Sequence, residues 1–377
     1  DPGMAGTNKG TLELSTIPPI NLGKRLQYLL QYPHGCVEQT TSAVFPQLYV
    51  SNLMEMPQAA KLQIDKNIRA GLDRLESFQQ ASGGLSYWPG TGEVSEWGTN
   101  YAGNFVIEAK NKGYRVSQSF LTKWIAFQKK AAKNWSSTSR PDQVIQGDRL
   151  YLLALAGSPE LGAMNRLREL PGIDNVAKWR LAAAYKLAGQ PETAVKLTPD
   201  LAVAVPKYQE LGFTYGDDVR DQAIILECIG IIGNRVRGAD LSKKIAKALS
   251  SQDWMSTQTT GYSLIAMAKY AGVNNQGAKM EYAYRINGGD WQDGSSSKPI
   301  MQVDLLAANG KDGRVEVKNK GGSILFVRVI SEGIPVVGDQ DARQSDISLA
   351  IEYLDMEGGA IDVTSLEQGT DFVAEIT

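Results

Sequence analysis

The spacing of hydrophobic and polar positions changes twice along the chain. Residues 10–16 alternate between apolar and polar side chains, which predicts a short β-strand. From Asn21 to Gln276 the apolar positions follow a helical period, and after Gln276 a period of two returns. The pattern therefore predicts a long helical region with β-structure on both sides of it.

A repeat of about forty residues organises the helical region, and this length accommodates one helical hairpin. Five apolar helical segments each end in a turn closed by glycine, at intervals of 32 to 44 residues. The helix predicted to begin at Cys36 brings the number of hairpins to six. The closing glycines are Gly113, Gly157, Gly189, Gly233 and Gly272, and the segments start near Cys36, Asn100, Asp142, Asn175, Asp217 and Thr257.

The two helices of each predicted hairpin differ in their polarity. The first is nearly apolar all round, as in residues 223–232, and such a helix must be buried on most faces. Its partner is amphipathic, as in residues 60–80, and belongs to an outer layer. Six hairpins with buried inner helices predict an α/α toroid or an open solenoid, and the period alone allows both.

Four β-strands separated by glycine turns are predicted after the helical region. They cover residues 280–289, 300–305, 313–317 and 324–330. They indicate an antiparallel β-domain, and residues 11–16 are its missing strand, so the helical domain is inserted into the β-domain. Residues 338–343 are predicted to form a linker, and two further strands are predicted at 348–353 and 371–376.

The composition is that of ordinary soluble globular material. Of 377 residues, 42% are hydrophobic and 21% are charged, with a net charge of −2. This balance argues against a surface for nucleic acid or for an anionic membrane. No apolar run approaches the roughly 18–20 residues of a membrane-spanning helix. No zinc spacing, phosphate loop or pair of catalytic carboxylates is present, so we expect neither a cofactor nor a metal.

The strongest candidate for chemistry is the stretch of residues 32–42. Pro33 and Gly35 predict a turn, because proline fixes φ and glycine permits a left-handed backbone. Cys36 follows at the predicted start of a helix, where free N–H groups and the helix dipole stabilise a thiolate. Gln39 lies three residues further on, so its carboxamide carbon can fold back onto the Cys36 sulfur.

The residues alone leave simpler alternatives open. A lone cysteine at a helix start is most often a small buried hydrophobe. Cys36 and Cys228, the only two cysteines, could also form one disulfide. Asp217, Asp218 and Asp221 have the spacing with which terpene synthases hold magnesium, but three acids in the first turn of a helix also complement its dipole.

The Cys-x-Glu-Gln spacing resembles the thioester motif of the alpha-2-macroglobulin and complement family. The longer run of residues 26–50 looks like bacterial alpha-2-macroglobulins in particular. The resemblance implies that the Cys36 sulfur displaces ammonia from Gln39 and forms an internal β-cysteinyl-γ-glutamyl thioester. A nearby amine or hydroxyl can then displace the sulfur and become covalently attached through Gln39.

The resemblance also implies the fold. Residues 83–88 and 97–101 resemble the second hairpin of the family's thioester domain, which is an α/α toroid of six helical hairpins inserted into a small antiparallel β-domain. The strands at the end of the chain resemble the start of the family's macroglobulin-like β-sandwich. The expected domains are a lead-in and first strand (1–17), the thioester toroid (18–276), the rest of the β-domain (277–337) and a partial β-sandwich (338–377).

Several further residues are candidates for a supporting role at the thioester. Glu38 either holds the turn or lies near the new acyl bond. The only histidine, His34, is a solvated turn residue or assists acyl transfer. Aromatic side chains near the first two hairpins belong to the core or shield the thioester from water. They are Tyr32, Tyr87, Trp88, Trp97 and Tyr101.

The resemblance implies a broad-spectrum protease inhibitor that traps its target covalently through a lysine. Each molecule would react once, so we do not expect an enzyme. The implied partners are target proteases and a penicillin-binding protein, and the implied location is the periplasm, with a lipid anchor on the full-length protein. Two alternatives stay open: a cysteine hydrolase or transferase that uses Cys36, and an inert helical interaction scaffold.

Overall fold

The structure, a computed structural model, describes two compact units. The described residues are 3–4, 6–23, 25, 32–90, 92–251, 253–274, 279–305, 313–335, 344 and 347–377. One unit is Gly10–Ile330, and the other combines Asp1–Lys9 with Ser331–Thr377.

Helices dominate the larger unit. In chain order they are α1 (Val37–Val44), α2 (Gln47–Leu53), α3 (Gln58–Glu76), α4 (Glu96–Asn111), α5 (Gln118–Asn134), α6 (Arg140–Leu155), α7 (Leu161–Glu169), α8 (Asn175–Leu187), α9 (Pro191–Leu197), α10 (Asp218–Ile232), α11 (Arg235–Ser250) and α12 (Thr257–Asn274). The pair α1 and α2, together with α4, α6, α8, α10 and α12, forms an inner layer in which each member packs against the next. The helices between them pack outside.

The inner layer closes on itself, because α12 packs against both α1 and α2. This closure distinguishes a toroid from a solenoid, so the predicted α/α toroid is confirmed, with five complete hairpins and the inner helix of the sixth among the described residues. The inner helices are buried on nearly all faces, as the apolar residues 223–226 in α10 illustrate. Residues 26–31, with which the family-like run begins, lie outside the described residues.

Four of the five predicted closing glycines end helices as expected. Gly113, Gly157, Gly189 and Gly233 all have positive φ. The prediction for Gly272 is wrong, because α12 continues through it to Asn274. The predicted start near Asn100 is also late, since Ser95 caps α4 and Asn100 is buried inside it.

Buried ion pairs lie at the centre of the toroid. Arg180 pairs with Asp148 at 2.9 Å and with Glu227 at 2.6 Å, and all three side chains are almost completely buried. Lys269 joins Glu227 to Glu108. Burial by itself would raise the pKa of Glu227, but Lys269 and Arg180 outweigh it and lower that pKa to about 2. The inner helices therefore meet through fixed charges as well as through apolar packing.

Strands on both sides of the toroid form one β-domain. The strands are β1 (Lys9–Ser15), β2 (Met280–Ile286), β3 (Gln292–Ser296), β4 (Ile300–Leu305), β5 (Val315–Asn319) and β6 (Phe326–Glu332). β1 pairs antiparallel with β4, with Leu12 opposite Val303. The predicted insertion of the toroid into an antiparallel β-domain is therefore confirmed.

The β-domain consists of two three-stranded sheets. Their strand orders are β4-β1-β6 and β3-β2-β5, so the consecutive strands β4 and β5 belong to different sheets. Leu12 and Leu14 of one sheet and Met280 and Tyr282 of the other share a small core. The sequence pattern did not predict β3, whose residues lack an apolar alternation and which is held by its pairing with β2.

The smaller unit contains an antiparallel pair of strands, β7 (Ile351–Leu354) and β8 (Val373–Ile376). This pair confirms the two strands predicted at the end of the chain, with Tyr353 opposite Ala374. The predicted linker at 338–343 lies outside the described residues. The domain boundaries at 17, 276 and 337 stay predictions.

Candidate functional site

Cys36 is the N-cap of α1, and its side chain and that of Gln39 form a reciprocal cap. The Gln39 backbone N–H donates to the Cys36 sulfur at 3.4 Å. The Cys36 backbone N–H donates to the Gln39 side-chain oxygen at 3.2 Å. This is a capping box with cysteine in place of the usual serine or threonine. The local helix start therefore folds the Gln39 side chain back onto Cys36, a residue that is only 2% exposed.

Gly35 makes room for this arrangement. Its φ is +81°, a backbone conformation that other residues adopt only with strain. A Cβ at this position would lie 2.1 Å from the Gln39 side-chain oxygen and 3.0 Å from its carboxamide carbon. Only glycine lets the backbone turn tightly enough for the carboxamide to lie over it.

Arg74, on the outer helix α3, fixes the turn from the side. Its guanidinium donates to the Gly35 carbonyl at 2.8 Å and to the Thr40 hydroxyl at 3.2 Å. The Thr40 hydroxyl in turn donates to the His34 carbonyl at 3.3 Å. Sequence reasoning missed Arg74, because nothing in the motif's spacing points to a residue on the next helix.

A cluster of aromatic side chains centred on Tyr87 lies beside the start of α1. The Tyr87 carbonyl accepts the Val37 N–H at 3.0 Å, which places residue 87 beside the helix start. Burial first, and then a hydrogen bond with the Cys36 sulfur, raise the pKa of Tyr87 above its ordinary value. The Tyr87 ring contacts Trp88 and Tyr215, each with a 5.9 Å separation between ring centroids. Of these, Trp88 and Tyr87 were anticipated, whereas Tyr215 was not.

Glu38 lies in the first turn of α1 and connects it to α12. Its carboxylate accepts hydrogen bonds from Ser42 at 2.6 Å and from Thr257 at 3.1 Å. Burial raises the pKa of Glu38, although these two hydrogen bonds oppose that effect. The carboxylate therefore lies at the closing seam of the toroid, one residue before Gln39.

Trp97 and Tyr101, which the sequence also suggested for the site, are both buried below it. Trp97 is buried, donates from its indole N–H to Gln258 at 3.2 Å, and lies under the Arg220 guanidinium. Tyr101 is also buried and stacks on Tyr262, with its hydroxyl 3.1 Å from that of Ser42. Both belong to the toroid core beneath the site.

Tyr32 and His34 lie on the surface beside the site. Tyr32 is 61% exposed. His34 is exposed as well, and its backbone carbonyl accepts the hydrogen bond from the Thr40 hydroxyl. The structure thus brings Cys36, Glu38 and Gln39 together with Tyr87, Trp88 and Arg74, while Tyr32 and His34 flank them.

The remaining sequence alternatives are accounted for by other contacts. Cys36 and Cys228 are both free and buried, so no disulfide joins them. Asp217 caps α10 by accepting the Arg220 N–H at 2.7 Å, and Asp221 pairs with Arg140 and Arg220. In the described ranges, no group of three His, Cys, Asp or Glu side chains is arranged to hold a metal.

Comparisons with known proteins point to alpha-2-macroglobulins. Residues 13–146, which include Cys36, Gln39, Arg74 and Tyr87, match the family described as the A-macroglobulin TED domain. Alpha-2-macroglobulin of Escherichia coli is 24% identical over 385 residues, an alignment that covers 96% of the chain. Over nearly its whole length the chain is similar to alpha-2-macroglobulins. It spans 22% of the length of that E. coli relative.

Solved structures of alpha-2-macroglobulins share the fold. A structure of the E. coli protein from domain MG7 to the C-terminus has a TM-score of 0.72 at 21% identity, covering 96% of this chain and 58% of that one. Salmonella alpha-2-macroglobulin has a TM-score of 0.73 at 23% identity, covering 98% and 24%. Within the described residues, none of the helices is both long and apolar enough to cross a membrane.

Proposed function

We propose that Cys36 and Gln39 form an internal thioester, and that this segment is the covalent trap of a protease inhibitor. The observation that carries the proposal is the reciprocal cap, in which the Cys36 N–H donates to the Gln39 side-chain oxygen and the Gln39 N–H donates to the Cys36 sulfur. Two further features support it: a Cβ at Gly35 would collide with the carboxamide, and Arg74 holds the turn by donating to the Gly35 carbonyl.

Formation of the bond needs only the two side chains. The Cys36 thiolate attacks the Gln39 carboxamide carbon, and negative charge develops on the side-chain oxygen. The Cys36 N–H, which already donates to that oxygen at 3.2 Å, stabilises this charge as an oxyanion-hole donor does. The amide nitrogen takes up a proton and leaves as ammonia, so a thiol and a carboxamide become a thioester and ammonia.

In the transfer of the Gln39 acyl group to an amine, the Cys36 sulfur is the leaving group. An amine attacks the same carbon, the carbon–sulfur bond breaks, and Cys36 leaves as a thiolate that is then protonated. Gln39 is left as a stable amide of the attacking amine. Because the product does not return to a thioester, one molecule captures one amine, which is the behaviour of a single-turnover inhibitor.

The relatives support proteases as the source of that amine. Salmonella alpha-2-macroglobulin has been solved after reaction with methylamine, and the E. coli protein after activation by porcine elastase. We extend these observations to the present chain and infer that its thioester captures surface lysines of attacking proteases. On the same resemblance we propose a periplasmic location, a lipid anchor on the whole protein, and a penicillin-binding protein as a neighbour.

The two alternatives make different demands on the site. A cysteine hydrolase needs a base beside Cys36, and His34 is the only histidine in the sequence, two residues away and exposed. An inert scaffold needs neither the buried sulfur nor the space over Gly35. In an inert scaffold the folded-back carboxamide of Gln39 would serve only as a helix cap.

Alkylation separates the trap from a cysteine enzyme. We expect Cys36 to resist iodoacetamide in the intact protein and to become reactive after methylamine is added, because aminolysis releases the sulfur. Cys228 is the internal control, since burial raises its pKa to about 12 and it should stay unreactive in both conditions. Immediate alkylation of Cys36, with repeated turnover of small esters, would favour the hydrolase instead.

A further inference from the structure

Arg74 reaches both of the peptide groups that flank Gly35. Its Nη2 donates at 2.8 Å to the carbonyl of the peptide group between Gly35 and Cys36. Its Nε donates at 3.2 Å to the Thr40 hydroxyl, which in turn donates at 3.3 Å to the His34 carbonyl of the preceding peptide group. Because glycine is the most flexible residue, the backbone on either side of it is free to turn unless other groups hold it. One side chain therefore fixes both peptide planes at the turn before the sulfur.

The packing of α3 against α1 sets the position of Arg74. Gly71 precedes Arg74 by about one helical turn, and a Cβ at Gly71 would lie 2.8 Å from a methyl group of Val44 in α1. The two helices can therefore approach this closely only because position 71 is a glycine. On the other side the Arg74 guanidinium lies over the Phe78 ring, with its carbon 5.5 Å from the ring centroid. Contacts outside the thioester motif thus hold Arg74 against the turn.

The peptide group between Gly35 and Cys36 connects Arg74 to the Gln39 carboxamide. Its carbonyl accepts the hydrogen bond from Arg74, and its N–H donates to the Gln39 side-chain oxygen at 3.2 Å. A peptide group is planar, so a bond that fixes its carbonyl also fixes the direction of its N–H. A charged donor on the carbonyl also polarises the N–H, because hydrogen bonds in a chain strengthen one another. The Cys36 N–H is therefore both aimed and strengthened as a donor.

We propose that Arg74 is a positioning residue for acyl transfer, which aims and polarises the Cys36 N–H toward the oxygen that gains negative charge. This rests on the proposed function, in which that N–H is the oxyanion donor. When an amine attacks the Gln39 carbon, an electron pair of the carbonyl bond moves onto the oxygen, and it returns as the carbon–sulfur bond breaks. An amine and a thioester thus give an amide and a thiol, and Arg74 neither gains nor loses a proton.

The direction of the change in rate tests this role. If Arg74 only held the turn closed, its loss would loosen the site and speed cleavage of the thioester by amines. If Arg74 supports the oxyanion, its loss slows the same reaction. With methylamine at fixed pH, and a chromogenic reagent to detect the released Cys36 thiol, we expect Arg74→Ala to react about tenfold more slowly than the wild type. The effect is smaller than the loss of about 10²–10³ for a whole oxyanion-hole donor, because the Cys36 N–H itself remains.

Two further variants complete the experiment. Arg69→Ala removes an arginine that pairs with Asp65 on the exposed face of the same helix, so its rate should equal that of the wild type. Arg74→Lys keeps a charged donor without the planar fork, so it should be only about threefold slow, and it is timed alone if Arg74→Ala carries too little thioester.

The outcomes separate Arg74 from the thioester. An Arg74→Ala protein that reacts as fast as the wild type or faster, or an Arg74→Lys protein that does so when timed in its place, would overturn the role of Arg74 alone. A wild-type protein whose Cys36 alkylates without any amine would instead overturn the thioester, and this proposal with it.

Discussion

Replacement of Gly35 by alanine is expected to abolish the thioester while leaving the toroid folded. The new Cβ would lie 2.1 Å from the Gln39 side-chain oxygen, so the carboxamide must swing away from the Cys36 sulfur. Gln39 is exposed and can rotate into solvent, which is why the fold survives. Mass spectrometry should find Gln39 as an unmodified glutamine and Cys36 as a free thiol in nearly all molecules.

Gly113→Ala is the matched control for this variant. Gly113 also has a left-handed backbone, with φ of +90°, but a Cβ there would meet no atom within 4 Å. Both variants should therefore lose about 1–2 kcal/mol of stability from backbone strain, and only Gly35→Ala should lose the thioester. A Gly35→Ala protein that still releases a thiol with methylamine at the wild-type rate would contradict the geometry described here.

Replacement of Arg180 by alanine is expected to cause the largest loss of stability. Arg180 is fully buried at the centre of the toroid, where it pairs with Asp148 and Glu227. Among the described residues Asp148 makes no side-chain hydrogen bond and relies on its ion pair with Arg180, whereas Glu227 also pairs with Lys269. Removing one partner of a buried ion pair typically costs about 3–5 kcal/mol. Urea unfolding should show a loss of this size.

A surface arginine provides the comparison. Arg69 pairs with Asp65 one helical turn away at 2.9 Å, but both side chains are largely exposed. Exposed pairs of this kind contribute little because water and salt screen them, so Arg69→Ala should be close to neutral. Adding Asp148→Ala to Arg180→Ala should recover part of the loss, because it removes the unpaired charge. If Arg180→Ala were no worse than Arg69→Ala, the buried ion pairs would not hold the inner helices together.

The sequence pattern predicted the helical architecture because burial dictates it. Inner helices such as α10 must be apolar on every face, and that property recurs with the length of one hairpin, so the repeat was visible without a structure. Closure of the ring was not visible, since it depends on contacts between α12 and α1 that no local period records. It entered the prediction only through the family resemblance.

The two errors in the predicted secondary structure have physical causes that the local sequence pattern does not contain. β3 was missed because Gln292–Ser296 is polar and becomes a strand only through its pairing with β2. The expected stop at Gly272 failed because this glycine does not adopt a left-handed backbone, so the helix runs on to Asn274. In both places the tertiary structure decided, and a local pattern could not.

The site was predictable only where its parts are close in sequence. Cys36 and Gln39 stand three residues apart, so their spacing alone predicted that the Gln39 side chain can fold back onto Cys36, and the structure added that the two residues cap the helix reciprocally. Arg74 and Tyr215 reach the same site from other hairpins, and no motif in the sequence marks them. Trp97 was predicted from the aromatic content of its neighbourhood, and the structure places it in the core beneath the site.

The mass of the peptide that contains residues 35–40 tests the central claim most directly. An intact thioester predicts that this peptide is lighter than the encoded sequence by one ammonia, and that the deficit maps to Cys36 and Gln39. After methylamine treatment the same peptide should carry a methylamide on Gln39 and a free thiol on Cys36. A peptide of full encoded mass, with glutamine intact and Cys36 free in untreated native protein, would contradict the account.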